Sequence, residues 1–234
     1  MTNDKVDPLV LAEGLTRIYS MGATQVIGIK DIAFRINRGE LVVLKGNSGS
    51  GKSTLLALLA GLDQPTRGRL LVAQKDLRKA TQADLVLNRR EVVGVIFQSF
   101  NLLPTLSVLE NVCLPALLAG RNFSEVQAKA MELIDWLNLK PRYNHHPAQL
   151  SGGEMQRTAI ARALINDPKI ILADEPTGNL DSRNGQIVIE LLSELNRKAH
   201  RTIIFATHSA LADPYATSLI CLKDGTITGA TCEV

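Results

Sequence analysis

The sequence lacks any apolar stretch close to the roughly 20 residues that a helix needs to cross a bilayer. Within its 234 residues the best candidates, 54–62 and 112–120, are both too short. The first eight residues are polar and acidic, unlike a secretory signal, which combines a basic start with an apolar core. We therefore expect that the chain does not span a membrane and that any membrane-spanning component is a separate polypeptide.

Cysteine is also scarce. Cys113, Cys221 and Cys232 are odd in number, far apart and without a C-x-x-C pair. This pattern favours a reduced, cytosolic setting over a disulfide framework, which typically uses an even number of cysteines. The neighbouring His145 and His146 have no cysteine or carboxylate at the spacing of a metal site, and we interpret them as part of a loop.

Aromatic residues make up only 4% of the chain, and the formal net charge is +3. Nucleic-acid-binding proteins carry basic runs interleaved with aromatic residues, and the sequence contains no such run. We therefore expect no nucleic-acid partner. The contents of hydrophobic residues (45%) and charged residues (21%) are ordinary for a globular protein, and the sequence contains no internal repeat or low-complexity tract.

What the sequence does contain is a glycine-rich loop with the pattern G-x-x-x-x-G-K-[ST], which binds phosphate groups in nucleotide hydrolases. The loop and the first residue after it are Gly46, Asn47, Ser48, Gly49, Ser50, Gly51, Lys52, Ser53 and Thr54. Residues 40–44 before it predict a buried strand, and residues 54–60 predict a helix. Glycines let successive N–H groups turn toward a phosphate, and the helix N-terminus adds positive charge.

Within this loop, we expect Lys52 to lie between the β- and γ-phosphates and Ser53 to offer a hydroxyl ligand to Mg²⁺. A glycine-rich turn with an exposed lysine is the alternative. From average residue usage, the pattern should arise by chance in roughly one chain in a hundred of this length, and the flanking strand and helix make chance rarer still. The sequence therefore predicts a nucleoside-triphosphate site.

Two adjacent acids follow a second apolar run. Residues 170–173 are apolar, as expected of a strand buried in a parallel sheet, and Asp174 and Glu175 come directly after them. Ligands bind at this end of the strands in open α/β sheets. Asp174 could hold Mg²⁺ through a bound water or through Ser53, and Glu175 could accept a proton from an attacking water. Acids are common where strands end, so the pair becomes informative only together with the phosphate loop.

A third motif lies between these two. The string Leu150-Ser151-Gly152-Gly153-Glu154 opens a segment with helical spacing, in which Ser151 is a good N-cap and two glycines leave the helix N-terminus open to an anion. A plain helix cap is the alternative. However, the string resembles the signature motif of the ATP-binding-cassette (ABC) ATPases, and the order of phosphate loop, signature and acidic strand is that of the family. The resemblance covers almost the whole chain and implies ATP and Mg²⁺ as ligands.

The resemblance implies roles for four further residues. Gln98 is similar to the glutamine that touches Mg²⁺ and the attacking water, and Asp181 is similar to the acid of the loop that crosses the subunit interface. His208 is similar to the switch histidine that bonds the γ-phosphate, and Tyr19 is similar to the aromatic that stacks on adenine. Taken alone, Gln98 is an ordinary polar strand-end residue and Tyr19 an ordinary half-buried tyrosine.

In this family two subunits pack head to tail, so that each signature helix completes the ATP site of the other subunit. We therefore expect a second copy of the chain as a partner. Two positions depart from the family pattern, because Glu154 stands where many members carry glutamine and Ser209 stands where an acid is common.

The resemblance also implies the fold, an α/β P-loop NTPase of the ABC nucleotide-binding-domain type. Such a fold has a RecA-like mixed sheet as its core, an antiparallel β subdomain and a helical subdomain. We expect one domain over residues 1–234, with a core lobe at about 1–98 and 166–234 and a helical lobe at about 99–165.

Periodicity predicts further elements along the chain. Strands are expected at 9–12, 31–36, 70–74, 202–206 and 218–222, and a helix is expected at 187–198. Ser124 is predicted to cap a helix that runs through Leu137. A polar segment follows the strand at 70–74 and runs through Arg90, and Asp224-Gly225 predicts a hairpin turn.

Residues 109–115 and 173–181 resemble the exporter-like branch of the family, which includes lipoprotein-releasing, macrolide-exporting and cell-division ATPases. The resemblance implies an ATPase subunit on the cytoplasmic face of the inner (plasma) membrane. There it would drive a separate permease, docked near Phe100–Leu106, in export or extraction of a lipid, lipoprotein or similar substrate. A mechanical regulator that acts through a membrane partner without transport is the alternative. A soluble ABC ATPase acting on DNA or ribosomes would need coiled-coil insertions or two cassettes, and the sequence has neither.

Overall fold

The computed structural model describes residues 7–22 and 24–229. The first half contains β1 (Val10–Met21), β2 (Thr24–Ile36), β3 (Leu41–Lys45), α1 (Lys52–Ala60), β4 (Arg67–Val72), β5 (Lys75–Asp76), α2 (Gln82–Leu87), a π-helical turn (Asn88–Val92) and β6 (Val93–Ile96). The second half contains α3 (Val108–Leu118), α4 (Phe123–Trp136), α5 (Gly152–Leu164), β7 (Ile170–Asp174), α6 (Ser182–Ala199), β8 (Thr202–Ala206), β9 (Ser218–Lys223) and β10 (Thr226–Thr228). Short 3-10 turns lie at Lys140–Arg142, Pro147–Gln149 and Ala210–Tyr215.

The larger sheet has the strand order β10-β9-β3-β8-β7-β6, and its neighbouring strands are parallel except for the β9–β10 hairpin at one edge. All residues of β3 and β8 are buried, which explains why most of them are apolar, because helices cover both faces of a parallel sheet. Val43 and Ile203 pack toward α3–α6, whereas Val42 and Ile204 pack toward α1. The carboxyl ends of β3, β6, β7 and β8 meet at one edge, where ligands bind in such sheets.

A smaller antiparallel sheet has the order β2-β1-β4-β5. Its long β1–β2 hairpin contains register shifts and pairs Tyr19 with Val26. Leu15, Ile29 and Leu70 from this sheet are buried in the same core as α1. The predicted combination of a central mixed sheet with an antiparallel β subdomain is therefore confirmed.

Helices α3, α4 and α5 pack against one another, and α5 also packs against β6. Val108, Ile134 and Ile160 from these helices belong to one core with Ile96 of the sheet. This helical part completes the predicted fold class. The expected lobe boundaries near residues 98 and 166 stay a prediction.

The N-terminus of α4 differs from the prediction. Asn122, rather than Ser124, is the N-cap, and the helix begins at Phe123. The Asn122 Oδ1 atom accepts hydrogen bonds from the backbone N–H of Ser124 (2.9 Å) and from its hydroxyl (2.8 Å). The amide oxygen therefore satisfies a free N–H group of the first turn, which is the task of a cap residue.

The polar segment from 75 to 90 contains regular structure. It contains the short strand β5 and the helix α2, and Thr81 and Asp84 form a capping box at the start of this helix. Such reciprocal bonds satisfy two backbone N–H groups, so a polar sequence can still begin a helix.

The cysteines differ in state. Cys113 is a buried free thiol in α3, whereas Cys221 is disulfide-bonded. This bond differs from the reduced state that the sequence analysis favoured for the cysteines. In the described part of the chain, none of the helices has both the length and the apolar character needed to span a bilayer.

Candidate functional site

A cavity of about 490 Å³ opens at the carboxyl edge of the larger sheet. Segments that are far apart in the sequence meet there. The lining residues are Tyr19, Val26, Ile27, Gly28, Ser48, Gly49, Ser50, Gly51, Lys52, Ser53, Thr54, Gln98, Glu175 and His208. The cavity thus brings together most of the residues that the sequence analysis assigned to a nucleotide site.

The phosphate loop has backbone positions that only glycine can occupy without strain. Gly46 has φ 150°, and a Cβ atom there would lie 2.3 Å from the Leu222 carbonyl oxygen. Gly51 has φ 105°, and its Cβ would lie 2.6 Å from the Gly28 carbonyl oxygen. Gly51 also precedes α1 without a capping side chain, so free N–H groups of the helix N-terminus remain available to an anion.

Lys52 is buried at the start of α1. Its ammonium donates hydrogen bonds to the carbonyl oxygens of Gly46 (2.7 Å) and Asn47 (3.2 Å) and lies 3.8 Å from Glu175 Oε1. Gly46 and Asn47 do not line the cavity themselves, and their carbonyls instead orient the lysine. The arrangement concentrates positive charge at the position where the loop would bind phosphate.

Ser53 and Asp174 form a pair of oxygen ligands beside the loop. The Ser53 hydroxyl donates to Asp174 Oδ1 at 3.2 Å. Burial raises the pKa of the Asp174 carboxyl and the Glu175 carboxylate raises it further, whereas the Ser53 hydroxyl and Lys52 act in the opposite direction. A hydroxyl and a carboxylate next to a phosphate site are hard oxygen donors of the kind that Mg²⁺ prefers, so the residues present fit this ion.

Glu175 and Gln98 lie at the ends of the adjacent strands β7 and β6. Glu175 has a left-handed backbone with φ 44°, and its N–H donates to the Ala206 carbonyl at 2.9 Å. Such conformations are strained and concentrate at functional sites. His208 Nδ1 lies 3.1 Å from Glu175 Oε1 and 3.0 Å from Oε2. The carboxylate and the imidazole are therefore in hydrogen-bonding contact at the cavity wall.

Tyr19 belongs to a group of side chains at the other end of the cavity. Its hydroxyl donates to Asp63 Oδ2 (3.0 Å), and Arg17 Nε donates to the same oxygen at 2.7 Å. The Arg17 guanidinium lies 4.6 Å from the Tyr19 ring centroid. Asp63 and Arg17 therefore hold the ring of Tyr19 in place.

Sequence reasoning missed the part of the cavity wall that comes from β2. Val26 and Ile27 have exposed apolar side chains, and a Cβ atom on Gly28 would lie 2.8 Å from Tyr19 Cε2. The available signal was a glycine inside a strand, which indicates close approach of a ligand or another chain segment.

Ser151, Gly152, Gly153 and Asp181 form a separate surface and do not line the cavity. Ser151 caps α5, with its Oγ accepting from Glu154 N (3.3 Å) and its own N–H donating to Glu154 Oε2 (2.8 Å). This backbone hydrogen bond is the main cause that lowers the pKa of Glu154.

The start of α5 packs against the loop that contains Asp181. A Cβ atom on Gly152 would lie 3.4 Å from Leu180 Cδ2, and one on Gly153 would lie 2.3 Å from Asn184 Oδ1. Asp181 caps α6 by accepting from Asn184 N at 2.9 Å, and this bond lowers its pKa. The start of α5 and the loop with Asp181 thus lie together, and neither lines the cavity, although Asn179 of this loop donates to the carbonyl oxygen of the cavity residue Gln98 at 3.0 Å.

Comparison with known proteins identifies the family. Residues 29–178 match the family model described as ABC transporter. This chain belongs to the ABC transporter family. It is 45% identical over 219 residues to an uncharacterized ABC transporter ATP-binding protein of Methanocaldococcus jannaschii, covering 94% of this chain and 97% of that protein. It is also 45% identical over 224 residues to the macrolide export ATP-binding/permease protein MacB of Sodalis glossinidius, covering 96% of this chain but only 34% of that protein.

Solved structures of ABC cassettes have the same fold. A dimeric ATP-binding cassette in a post-hydrolysis state with ADP and Pi is 38% identical, has a TM-score of 0.87 and covers 94% of this chain and 97% of that one. A second dimeric structure of the same cassette, described as a bacterial ABC transporter cassette, gives 39% identity, a TM-score of 0.88 and the same coverage. The chain is therefore an ATP-binding ABC protein and an ATPase.

Proposed function

We propose that two copies of this ATPase dimerise around two ATP molecules and drive a separate membrane permease. The observation that carries the proposal is that the signature residues and Asp181 do not line the cavity of their own chain. The cavity contains the phosphate loop, Glu175 and His208, whereas the signature glycines pack against the loop of Asp181. The similar cassette, which is dimeric in both solved structures, supports a site shared between two chains.

Within each site, the N–H groups of the phosphate loop and Lys52 bind the β- and γ-phosphates of ATP. Ser53 and Asp174 would hold Mg²⁺ with Gln98 nearby, and the ion would neutralise phosphate charge in the transition state. Glu175 accepts a proton from the water that attacks the γ-phosphorus, as the bond to the leaving oxygen of ADP breaks. His208 bonds the γ-phosphate and orients Glu175, and Tyr19 stacks on the adenine.

The signature of the partner subunit completes the site. Ser151 presents its hydroxyl, and Gly152 and Gly153 present their N–H groups and the positive end of the helix dipole, to the γ-phosphate of the opposite chain. Asp181, next to them, contacts the partner across the interface.

The permease docks at a groove beside β6. This groove of about 250 Å³ is lined by apolar side chains such as Leu62 and Phe97 and by Arg89, Asn101 and Arg162. Its combination of apolar wall and positive charge fits a short amphipathic helix with acidic residues. Asn101 belongs to the segment Phe100–Leu106, which the sequence analysis expected to contact the permease.

Arg162 connects this groove to the signature helix. Its guanidinium, on α5, donates hydrogen bonds to the carbonyl oxygens of Phe100 (2.7 Å) and Asn101. Phe100 and Asn101 have positive φ angles and directly follow Ser99 and the cavity residue Gln98. A shift at Gln98 on ATP binding is therefore passed to the groove and to α5 through a few bonds.

In this proposal the ATPase lies peripherally on the cytoplasmic face of the inner membrane and serves export or extraction of a lipid, lipoprotein or similar substrate. Relatives named as macrolide exporters support the export direction. Mechanical regulation through a membrane partner without transport is the second candidate, and it uses the same docking groove.

Mixing two inactive variants tests the shared site. Lys52→Ala damages the phosphate loop, and Ser151→Arg damages the signature, so each variant alone should be inactive. A mixed dimer has one site with both defects and one intact site. Random mixing should therefore restore about a quarter of the wild-type rate, because about half of the dimers are mixed and each mixed dimer has one active site out of two.

The control mixture combines Lys52→Ala with Glu175→Gln. Both changes damage the same half-site, so every mixed dimer has two defective sites, and hydrolysis should stay at the level of the separate variants. The shared site is contradicted when the mixture of Lys52→Ala and Ser151→Arg is also no more active than its components in a single-turnover assay.

A further inference from the structure

Lys45 is a buried charge directly before the phosphate loop. It is the last residue of β3, in which the four preceding residues are apolar and buried, and its side chain is only 5% exposed. A buried ammonium is costly unless it is paired and hydrogen-bonded. The partners of Lys45 therefore indicate what this charge does.

Both partners lie in the segment that follows β8 and contains the switch histidine. The ammonium of Lys45 donates a hydrogen bond to the carbonyl oxygen of Ser209 at 2.7 Å, and Ser209 is the residue after His208. The same ammonium lies 2.7 Å from Asp213 Oδ1. Lys45 thus connects the strand that leads into the phosphate loop with the segment on both sides of residue 210.

The segment is further ordered by its own short hydrogen bonds. Ser209 N donates to Thr207 Oγ1 at 3.0 Å, and Ser209 Oγ accepts from Leu211 N at 3.2 Å. By contrast, the His208 side chain is 67% exposed. Packing around the imidazole therefore contributes little to its position, which depends on its contact with Glu175 and on how the backbone at 207–209 is held.

We propose that Lys45 is a positioning residue that sets the place of His208 relative to the phosphate loop. The chain continues from Lys45 into Gly46, whose carbonyl holds Lys52. Lys45 thereby connects the two groups proposed to bind the γ-phosphate. Its backbone leads through Gly46 to Lys52, and its side chain holds the segment that contains His208. This inference rests on the role proposed above for His208.

Replacing the ammonium by an apolar group of similar shape tests the inference. Lys45→Met removes both contacts, and the Asp213 side chain, 37% exposed, stays hydrated. A displacement of about 1 Å in a reacting group can cost up to about 10²-fold in rate, so kcat should fall roughly 10- to 100-fold while the KM for ATP changes less than about twofold. Lys223→Met is the matched control, because Lys223 is an exposed lysine on the neighbouring strand β9, and it should keep the wild-type kcat.

A double-mutant cycle with His208→Ala distinguishes an effect of Lys45 through His208 from a merely structural role of Lys45. If Lys45 acts through His208, Lys45→Met lowers kcat in the wild-type background and causes no further loss when His208 is already alanine. An equal fold-loss in both backgrounds overturns the inference, as does a wild-type kcat for Lys45→Met.

Asp213→Ala provides a second variant in a surface turn, in case Lys45→Met does not fold. It keeps the bond from Lys45 to Ser209, so its loss of kcat should be smaller, again at constant KM and again absent in the His208→Ala background. A wild-type kcat for Asp213→Ala, when Lys45→Met is unfolded, counts against the inference. A wild-type rate for His208→Ala alone refutes the role of the histidine itself. If His208→Ala lowers kcat but Lys45→Met keeps the wild-type kcat, only the role of Lys45 is refuted.

Discussion

Replacing Glu175 by glutamine should separate ATP binding from hydrolysis. The change keeps the size of the side chain and the hydrogen bond from residue 175 N–H to the Ala206 carbonyl. It removes the proton acceptor, and loss of a general base typically lowers the rate by 10²–10⁴-fold. With 1.36 kcal/mol for each factor of ten, this loss corresponds to about 3–5 kcal/mol of transition-state stabilisation.

The contacts of Glu175 predict that ATP binding survives the change. Lys52 Nζ lies 3.8 Å from the carboxylate, and a unit charge pair near this distance is worth at most about 4 kcal/mol at an effective dielectric constant of 20. In Glu175→Gln the whole charge of Lys52 becomes available to the phosphates, and one negative charge beside them is lost. ATP affinity should therefore be equal to or higher than that of the wild type.

Two assays check this prediction. Phosphate release measures the rate, and size-exclusion chromatography with ATP should show that the variant accumulates as a dimer containing two nucleotides. Glu132→Gln in α4 is a matched control, because Glu132 is exposed and far from the cavity in sequence, and it should behave as the wild type. Hydrolysis near the wild-type rate in Glu175→Gln would refute the assignment of Glu175 as the base.

Three further predictions concern other parts of the molecule. Tyr19→Ala should weaken ATP binding by about 1–3 kcal/mol, the usual value of one base–aromatic stack, and calorimetry that finds unchanged affinity would contradict the stacking role. Asp174→Asn should abolish ATP hydrolysis with Mg²⁺. In the absence of nucleotide, however, the same change should raise the melting temperature near neutral pH. The reason is that the raised pKa of Asp174 means that its buried charge destabilises the fold. This gain in melting temperature should shrink as the pH falls through the raised pKa, because the wild-type carboxyl then becomes neutral. A gain that grows in acid would show that the Asp174 charge does not destabilise the fold. Leu62 lies in the groove, and its side chain is 55% exposed. Leu62→Glu should therefore release the subunit from its permease in pull-downs from detergent-solubilised membranes. The control Leu219→Glu, at a side chain that is 42% exposed on the far side of the sheet, should not release it. Wild-type recovery of the permease with Leu62→Glu would mean that docking occurs elsewhere.

The sequence by itself determined the parts of the site that are built from consecutive residues. The phosphate loop, the capped start of α5 and the acids after β7 each depend on backbone groups or side chains within a few positions of one another. Their chemistry therefore leaves a contiguous pattern, and the central strands are recognisable from their unbroken apolar runs. Even at this local scale the cap of α4 was ambiguous, because Asn122 and Ser124, two positions apart, can each accept a hydrogen bond from a backbone N–H group.

Only the tertiary structure decided which distant residues meet. The β1–β2 register brings Val26 and Gly28 to the ring of Tyr19, and the packing of the segment after β8 over the end of β3 brings Asp213 to Lys45. These contacts depend on strand order and on how elements pack across the core, and a lysine at a strand end has the same local sequence signal whether it is exposed or paired. The physical reason is that neighbours along the chain determine local conformation, whereas the partner of a buried charge is determined by the three-dimensional packing of the whole domain.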